Sequence, residues 1–306
     1  MTQDRPFLGI MLMLGFCVLI PASDAIGKIL GATLPIALIV FYRVLSQVVL
    51  LGPLSAATGG KLIPAPEHRG PVLLRSVLYI GGIGMMYLAL RYLPLADAVA
   101  IAFVMPFIML LLGHWFLGEE VGARRLGACV VGFIGTLLVV QPSFAAVGWP
   151  ALLPLGVAVL FSLFMLVTRS IAKDMDPVAL QATSGALAAI ILLPVLLLGT
   201  ALGWTDIRFA AVNSTEFWLF VVMGVVGTVA HLLMTWSLRY APSATLAPMQ
   251  YLEIPFATIV GYLVFRDLPN GLAAVGIVVT ISAGLYIIAR ERAAPAPPAQ
   301  EPQAGQ

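Results

Sequence analysis

Two charged residues stand in the middle of long apolar runs. Arg43 lies nine residues into the run that begins at Leu34, and Glu253 lies ten residues into the run that begins at Ser243. At ~1.5 Å per residue, each lies about 13–15 Å along a helix, near the middle of a ~30 Å hydrocarbon layer if the runs are membrane helices. A charge at that depth costs about 2.5–3.5 kcal/mol, so both side chains are expected to face protein or a water-filled cavity. They are the first candidates for a polar binding site.

The sequence leaves two interpretations of Arg43 open. Its guanidinium stays protonated at any workable pH, so it can hold an anionic or hydrogen-bonding group of a bound molecule. Alternatively, it forms a buried ion pair with Glu253 or Asp24 that only orients helices. Gln47 lies one turn beyond Arg43 and shares its helix face, so it joins the candidate binding residues.

Glu253 has polar neighbours in its own run. Gln250 and Tyr251 precede it within one turn, and Pro255 follows it. A proline frees a backbone carbonyl one turn earlier, which could line a cavity. Glu253 can exchange a proton while Arg43 cannot, so this stretch is a candidate for proton coupling as well as for binding.

Asp24 and Lys28 form a second charged pair, one helical turn apart in the first apolar run. They could belong to the binding site, or they could form a local salt bridge near the outer surface, with Lys28 snorkelling toward the interface. Pro21 precedes them by one turn and predicts a bend in this helix.

Other reactive residue types are few. His114 and His231 have no acidic or cysteine partner at ligand spacing, so they are expected to be hydrogen-bonded packing residues and no metal site is predicted. Cys17 and Cys129 fall in apolar runs and are expected to be small buried side chains. Without a convergent nucleophile and base, the sequence predicts neither an enzyme nor a cofactor site.

Composition sets the class of protein. Of 306 residues, 61% are hydrophobic and only 10% are charged, and the mean hydropathy is +1.04. That leaves too little polar surface to cover a soluble globule, so an integral membrane protein is predicted. The net charge of +2 is too small to indicate a nucleic-acid partner.

Ten apolar runs are long enough to cross a membrane as helices. They are Phe7–Leu30, Leu34–Leu54, Val72–Leu90, Leu95–Leu117, Ala123–Val140, Pro150–Val167, Pro177–Leu202, Glu216–Leu238, Ser243–Phe265 and Gly271–Ala289. The stretch Ser55–Pro71 is expected to be a solvated loop, and the tail 293–306, rich in Pro, Ala and Gln, is expected to be disordered and cytoplasmic.

An internal repeat divides the chain. Leu90–Ala96 recurs as Leu238–Ala244 at a spacing of 148, and Pro106-Phe107 recurs as Pro255-Phe256 at a spacing of 149. The sequence therefore predicts a duplication of about half the chain. Because each half holds five helices, an odd number, the second half would enter the membrane from the opposite face, and such inverted halves suit alternating access.

Basic residues predict the orientation, since they are retained on the cytoplasmic side. With the N-terminus inside, eleven lie on the cytoplasmic side: Arg5, Lys61, Arg69, Arg75, Arg124, Arg125, Arg169, Lys173, Arg239, Arg290 and Arg292. Only four lie opposite: Lys28, Arg91, Arg208 and Arg266. Both termini are therefore predicted to be cytoplasmic.

These features resemble the drug/metabolite transporter superfamily, in its bacterial EamA-type branch. The resemblance rests on the ten runs in two halves, on the repeated Leu-Arg-Tyr-x-Pro-x-Ala phrase, and on Gly118-Glu119-Glu120 followed by Gly127. The second half departs from the pattern, with Arg266-Asp267 in place of Gly-Glu. The resemblance implies an all-α membrane fold of two five-helix repeats, 7–141 and 150–290, in the cell inner membrane.

The resemblance also implies a secondary-active carrier of a small organic metabolite. Riboflavin-like vitamin uptake is the first expectation; export of amino acids or drugs and carriage of an S-adenosylmethionine-type metabolite are the alternatives, and a membrane channel or sensor is the alternative from another class. The expected partners are the solute, the lipid bilayer, protons and a second copy of the chain. The candidate site comprises Arg43, Glu253, Asp24, Lys28, Gln47, Gln250 and Tyr251.

Overall fold

The computed structural model shows a bundle of α-helices and describes residues 5–118, 122–268 and 271–293. Those ranges contain no β-strand. The helices are α1 (Pro6–Gly31), α2 (Ile36–Ala57), α3 (Pro66–Leu90), α4 (Leu95–Ala102), α5 (Met105–Leu117), α6 (Ala123–Val147), α7 (Leu153–Ile171), α8 (Pro177–Ala201), α9 (Ser214–Tyr240), α10 (Ser243–Leu246), α11 (Glu253–Phe265) and α12 (Gly271–Ala293). Turns of 3₁₀ helix at Trp149–Leu152 and Ala247–Leu252 precede α7 and α11.

Length and composition make the protein a multi-pass membrane protein, as predicted. Seven stretches of the described chain are long and apolar enough to cross a bilayer. They are Pro6–Gly31, Ile36–Ala57, Pro66–Leu90, Leu95–Leu117, Trp149–Ile171, Pro177–Ala201 and Ser214–Tyr240. Three shorter apolar stretches are Leu126–Leu138, Met249–Phe265 and Ala274–Ala283.

Capping side chains or a glycine define the ends of several helices. The Asp176 carboxylate accepts a hydrogen bond from the Ala179 amide at 2.9 Å and caps α8. Asn213 and Glu216 form a capping box at the start of α9, each accepting from the other's backbone amide at 2.9 Å. Gly118 ends α5 in the left-handed region at φ 63°, where glycine carries no steric penalty.

Two of the predicted runs are not continuous helices. Leu95–Leu117 is broken at Phe103 and Val104, and Ser243–Phe265 contains the 3₁₀ segment Ala247–Leu252. A proline lies beside each break, because Pro106 occupies the first turn of α5 and Pro248 lies in the 3₁₀ segment. Proline cannot donate to the preceding turn and favours the start of a new helix.

The predicted loop Ser55–Pro71 is wrong over most of its length. The helix α2 continues to Ala57, and α3 begins at Pro66, where proline suits the first helical position. Arg75, which the predicted run Val72–Leu90 already included, lies in α3 and is buried, so it does not belong in the count of cytoplasmic charges. Glu119, Glu120 and the tail from 294 lie outside the described residues.

Packing joins the two parts of the chain. Helix α1 packs on α9, α2 on α8, α3 on α7, and α6 on α12. Most buried apolar side chains of these helices belong to one continuous cluster, which runs from Ile10 to Ile277. The centre of the bundle, where α1, α2, α3, α7 and α9 meet, positions the candidate site.

Candidate functional site

Arg43 is surrounded by neutral polar side chains from three neighbouring helices. Its Nη1 donates hydrogen bonds to the Ser23 hydroxyl on α1 and to the Tyr87 hydroxyl on α3, the latter at 2.9 Å. Its Nη2 lies 3.5 Å from Nδ1 of His231 on α9. With 1% of its surface exposed, Arg43 is a fully buried cation in the middle of the bundle.

The predicted ion pair of Arg43 with Asp24 or Glu253 is not formed. Within the described residues, neither carboxylate lies within 4.0 Å of a guanidinium nitrogen or accepts a hydrogen bond from any side chain. All three residues nevertheless line one cavity, together with His231 and apolar side chains. The structure thus brings Arg43, Asp24 and Glu253 together around a space instead of joining them directly.

The cavity is small and largely apolar. Its volume of about 60 Å³ holds a few water molecules, since one water needs about 10–15 Å³ by the same measure. Phe16 and Phe161 contribute stacked rings with centroids 6.4 Å apart. A vitamin-sized molecule would therefore require the surrounding helices to move apart.

Helix breaks place backbone and charge at this cavity. Phe103, at the break between α4 and α5, lines it, as does Met105 on the other side of that break. Glu253 is the first residue of α11 and follows the 3₁₀ segment. Its backbone amide donates to the Gln250 carbonyl, so the 3₁₀ segment runs directly into α11 at this residue.

Three of the predicted site residues lie outside the cavity lining. Gln47 donates to the Tyr79 hydroxyl, and the Tyr251 hydroxyl donates to the Cys129 carbonyl at 3.1 Å. The amide nitrogen of Gln250 lies 3.3 Å from the Met165 sulfur, a weak acceptor. These side chains stabilise contacts between helices around the cavity.

Lys28 does not pair with Asp24 as the sequence suggested. Its ammonium donates to the Leu93 carbonyl at 2.8 Å, lies 3.9 Å from the Asp267 carboxylate and lies 4.9 Å from the centre of the Phe265 ring. The long lysine stem carries the charge to the end of the bundle, where Asp267 follows α11, while Asp24 stays with the buried group. Lys28 also lies outside the cavity lining.

Sequence reasoning assigned no binding role to His231, Ser23 or Tyr87. Nδ1 of His231 lies 3.0 Å from the Gly227 carbonyl, which can only accept, so this nitrogen carries the proton. The imidazole is surrounded by aromatic rings, including Tyr79 at 4.9 Å between centroids. A polar side chain inside an apolar run was the available signal, and it was interpreted as packing alone.

A second buried arginine lies nearby but outside the cavity lining. Arg75 donates from Nε to the Thr168 hydroxyl at 2.8 Å, and from Nη2 to Gln181 at 2.7 Å and Thr235 at 3.4 Å. Its guanidinium carbon lies 4.6 Å from the centre of the Phe164 ring. This group ties α3 to α7, α8 and α9.

Comparison with known proteins gives the context of this geometry. The sequence profile of the EamA-like transporter family matches residues 7–141 and 148–290. A riboflavin transporter of Rhizobium johnstonii is 30% identical over 72% of this chain and 70% of its own length. An S-adenosylmethionine uptake transporter of Rickettsia conorii is 25% identical, over 89% of this chain and 90% of its own.

Two further similarities extend over nearly the whole chain. A pseudopaline exporter of Pseudomonas aeruginosa is 26% identical over 94% of this chain and 96% of its own. One protein of known crystal structure superposes with a TM-score of 0.71 at 17% identity, covering 93% of this chain and 97% of the other. At that identity the superposition shows a shared fold.

Proposed function

The chain belongs to the EamA-like transporter family and is a membrane transporter of small metabolites, and from that premise we propose that it works by secondary-active alternating access around the cavity of Arg43, Asp24 and Glu253. The observation that carries this proposal is the position of the charges. All three are buried around one cavity, and Glu253 stands where a 3₁₀ segment meets α11. Carriers of this kind bind their solutes near the middle of the membrane, beside interrupted helices.

The helix contacts support two related halves. If the seven long and three shorter apolar stretches all cross the membrane, the halves hold five helices each. Exchanging the halves turns the contact of α3 with α7 into that of α9 with α1, and both contacts are present. The contacts of α2 with α8 and of α6 with α12 are unchanged by that exchange. We propose repeats at 7–141 and 150–290 related by an axis in the membrane plane.

Uptake of a riboflavin-like vitamin is the first solute hypothesis, because a relative with that name is 30% identical. Carriage of an S-adenosylmethionine-type metabolite and export of a metabolite, as the other relatives' names suggest, are the alternatives. The test is accumulation of labelled riboflavin and S-adenosylmethionine by transport-deficient cells expressing the chain. Accumulation above that of cells carrying Arg43→Ala is expected for the true solute, and equal accumulation would refute both solutes.

Proton coupling through Glu253 is a further part of the proposal. Glu253 faces Asp24 on α1, Arg43 on α2 and His231 on α9 across the cavity, so helix movements change its electrostatic surroundings. In proteoliposomes, an imposed pH gradient should accelerate wild-type flux, while Glu253→Gln should still insert into the membrane and lose the response to the gradient. Wild-type flux that ignores the gradient would remove the proton role and leave facilitated transport.

We propose an inner-membrane orientation with both termini cytoplasmic. Without Arg75, ten basic residues remain on the cytoplasmic side against four opposite. A cysteine at Gly203 should react with an impermeant reagent added to intact cells, and a cysteine at Lys61 should be protected. The reverse pattern would invert the topology.

A further inference from the structure

Donors and acceptors around the central cavity differ in how many of them form hydrogen bonds. Arg43 donates from Nη1 to Ser23 and Tyr87, and its Nε is enclosed by protein without a hydrogen-bond partner. The carboxylates of Asp24 and Glu253 receive no hydrogen bond from the described residues, and each residue keeps 7% of its surface exposed. In the interior of the bundle that exposure faces the cavity. The accessible groups are therefore acceptors.

His231 adds to the same imbalance. Because its Nδ1 proton is donated to the Gly227 carbonyl, Nε2 is an acceptor, and that atom has no partner although His231 is 1% exposed and lines the cavity. A buried acceptor without a donor destabilises the protein unless a ligand or water supplies the donor. Nε2 of His231 and the Nε donor of Arg43 are both enclosed by protein, so the polar residues of the lining that keep the most exposed surface are Asp24 and Glu253.

The charges of the residues that line the cavity support the same conclusion. Asp24, Glu253 and Arg43 line the cavity, and an excess of buried negative charge is unfavourable unless a positive group balances it or a proton neutralises it. Phe16 and Phe161 also line the cavity, and aromatic rings can attract cations. An anionic group would meet unpaired carboxylates instead.

We infer that the solute group recognised in this cavity is a cation, an ammonium, guanidinium or sulfonium, that binds between Asp24 and Glu253. This inference rests on the proposed transport function, and among the solutes proposed above it favours the S-adenosylmethionine-type metabolite, since riboflavin carries none of these cationic groups. Arg43 then serves to balance one carboxylate and to hold α1, α2, α3 and α9 together. About 60 Å³ suits such a charged group, while the rest of the solute occupies space that opens when the helices move.

The test is direct binding to the purified full-length protein, which does not depend on flux. Benzylammonium, benzyl alcohol and benzoate share one ring and differ in charge, so isothermal titration of the three measures charge preference. We expect benzylammonium to bind at least about tenfold more tightly than the other two, a difference of about 1.4 kcal/mol. Equal binding, stronger binding of benzoate, or no binding of benzylammonium would overturn the inference.

Substitutions of Asp24 and Glu253 test whether benzylammonium binds at these two residues. Asp24→Asn and Glu253→Gln should each remove the preference for benzylammonium, while Glu253→Asp, which keeps the charge, should retain part of it. Glu67→Gln alters an exposed carboxylate on α3 and should bind like the wild type. Thermal unfolding should show Asp24→Asn and Glu253→Gln to be at least as stable as the wild type, because each removes an unpaired buried charge. A preference that survives both neutral variants would refute the site.

A failure of this binding pattern in a protein that still accumulates a metabolite would refute the cation inference alone. A normal binding pattern in a protein that moves no metabolite would instead count against the proposed transport.

Discussion

Arg43 and Arg75 are buried to the same extent, yet their surroundings differ. Each is 1% exposed, and neither has a carboxylate within ion-pair distance among the described residues. Arg75 donates to the neutral acceptors Thr168, Gln181 and Thr235 and packs against an aromatic ring. Arg43 also has neutral partners, but it borders a cavity that two carboxylates share.

This difference shows that burial of a charge does not by itself identify a binding site. Arg75 joins α3 to three other helices through bonds that leave its acceptors satisfied, which is a structural role. Beside Arg43, the carboxylates of Asp24 and Glu253 accept no hydrogen bond from the described residues. The unpaired acceptors, more than the arginine they accompany, mark the functional group.

The largest effect is expected from removal of the Arg75 side chain. Arg75→Ala takes three hydrogen bonds away from a fully buried group and leaves a void, and a hydrogen bond to a charged group contributes about 1.5–3 kcal/mol. We expect the free energy of unfolding of the detergent-solubilised protein to fall by about 3 kcal/mol.

Arg69→Ala is the matched control, because Arg69 lies on the same helix and is exposed. It should change the free energy of unfolding by less than about 0.5 kcal/mol. If the two alanine variants unfolded alike, Arg75 would not hold the helices together, and the contrast with Arg43 would lose its basis.

A smaller change tests the placement of Arg43. A methyl group on Gly227 would lie 2.8 Å from the guanidinium carbon of Arg43 and 2.9 Å from the Ser23 hydroxyl. Gly227→Ala must therefore displace the guanidinium while keeping its charge, and overpacking of this kind costs about 1–3 kcal/mol. We expect the transport rate to fall about tenfold, which corresponds to about 1.4 kcal/mol in activation free energy.

Gly52→Ala serves as the control, since Gly52 also lies within a helix, α2, and has nothing within 4 Å of an added methyl group. It should transport like the wild type and be slightly more stable, because alanine favours the helix. Equal transport by both variants would mean that the position of the Arg43 guanidinium does not matter for function.

The sequence predicted those features of the fold and site that depend on the hydropathy of the chain. Arg43 and Glu253 could be found because a charge in an apolar run must face a cavity or a partner. The breaks in the runs 95–117 and 243–265 carried a signal as well, in the prolines near them, but a run of apolar residues looks the same whether its helix is continuous or broken. Arg75 was counted as a cytoplasmic charge although it lies within the run Val72–Leu90, because hydropathy alone does not show that α3 begins at Pro66 and that Arg75 is buried.

The hydrogen-bond and ion-pair partners of the charged residues were less predictable than the positions of these residues in the helices. Lys28 lies one turn from Asp24, and local spacing suggested their pairing, yet its carboxylate neighbour is Asp267, near the other end of the chain. Tyr87 and Ser23 likewise meet Arg43 only through the packing of α1, α2 and α3. Such contacts depend on how the helices pack against one another in three dimensions, which a single sequence does not reveal.

The smallest effect is expected at Lys28, the charged contact nearest the end of the bundle. The side chains of Lys28 and Asp267 are 20% and 41% exposed and lie 3.9 Å apart, so solvent weakens their attraction. Asp267→Asn should lower the free energy of unfolding by less than about 1 kcal/mol, and added salt should reduce the difference further. Lys28→Met should have the larger effect of the two, because it also removes the bond to the Leu93 carbonyl and the contact with Phe265. Unfolding of both variants in low and high salt measures these differences. An Asp267→Asn effect as large as that of Arg75→Ala would show that the ion pair at the end of the bundle, and not the buried arginine, holds the helices in place.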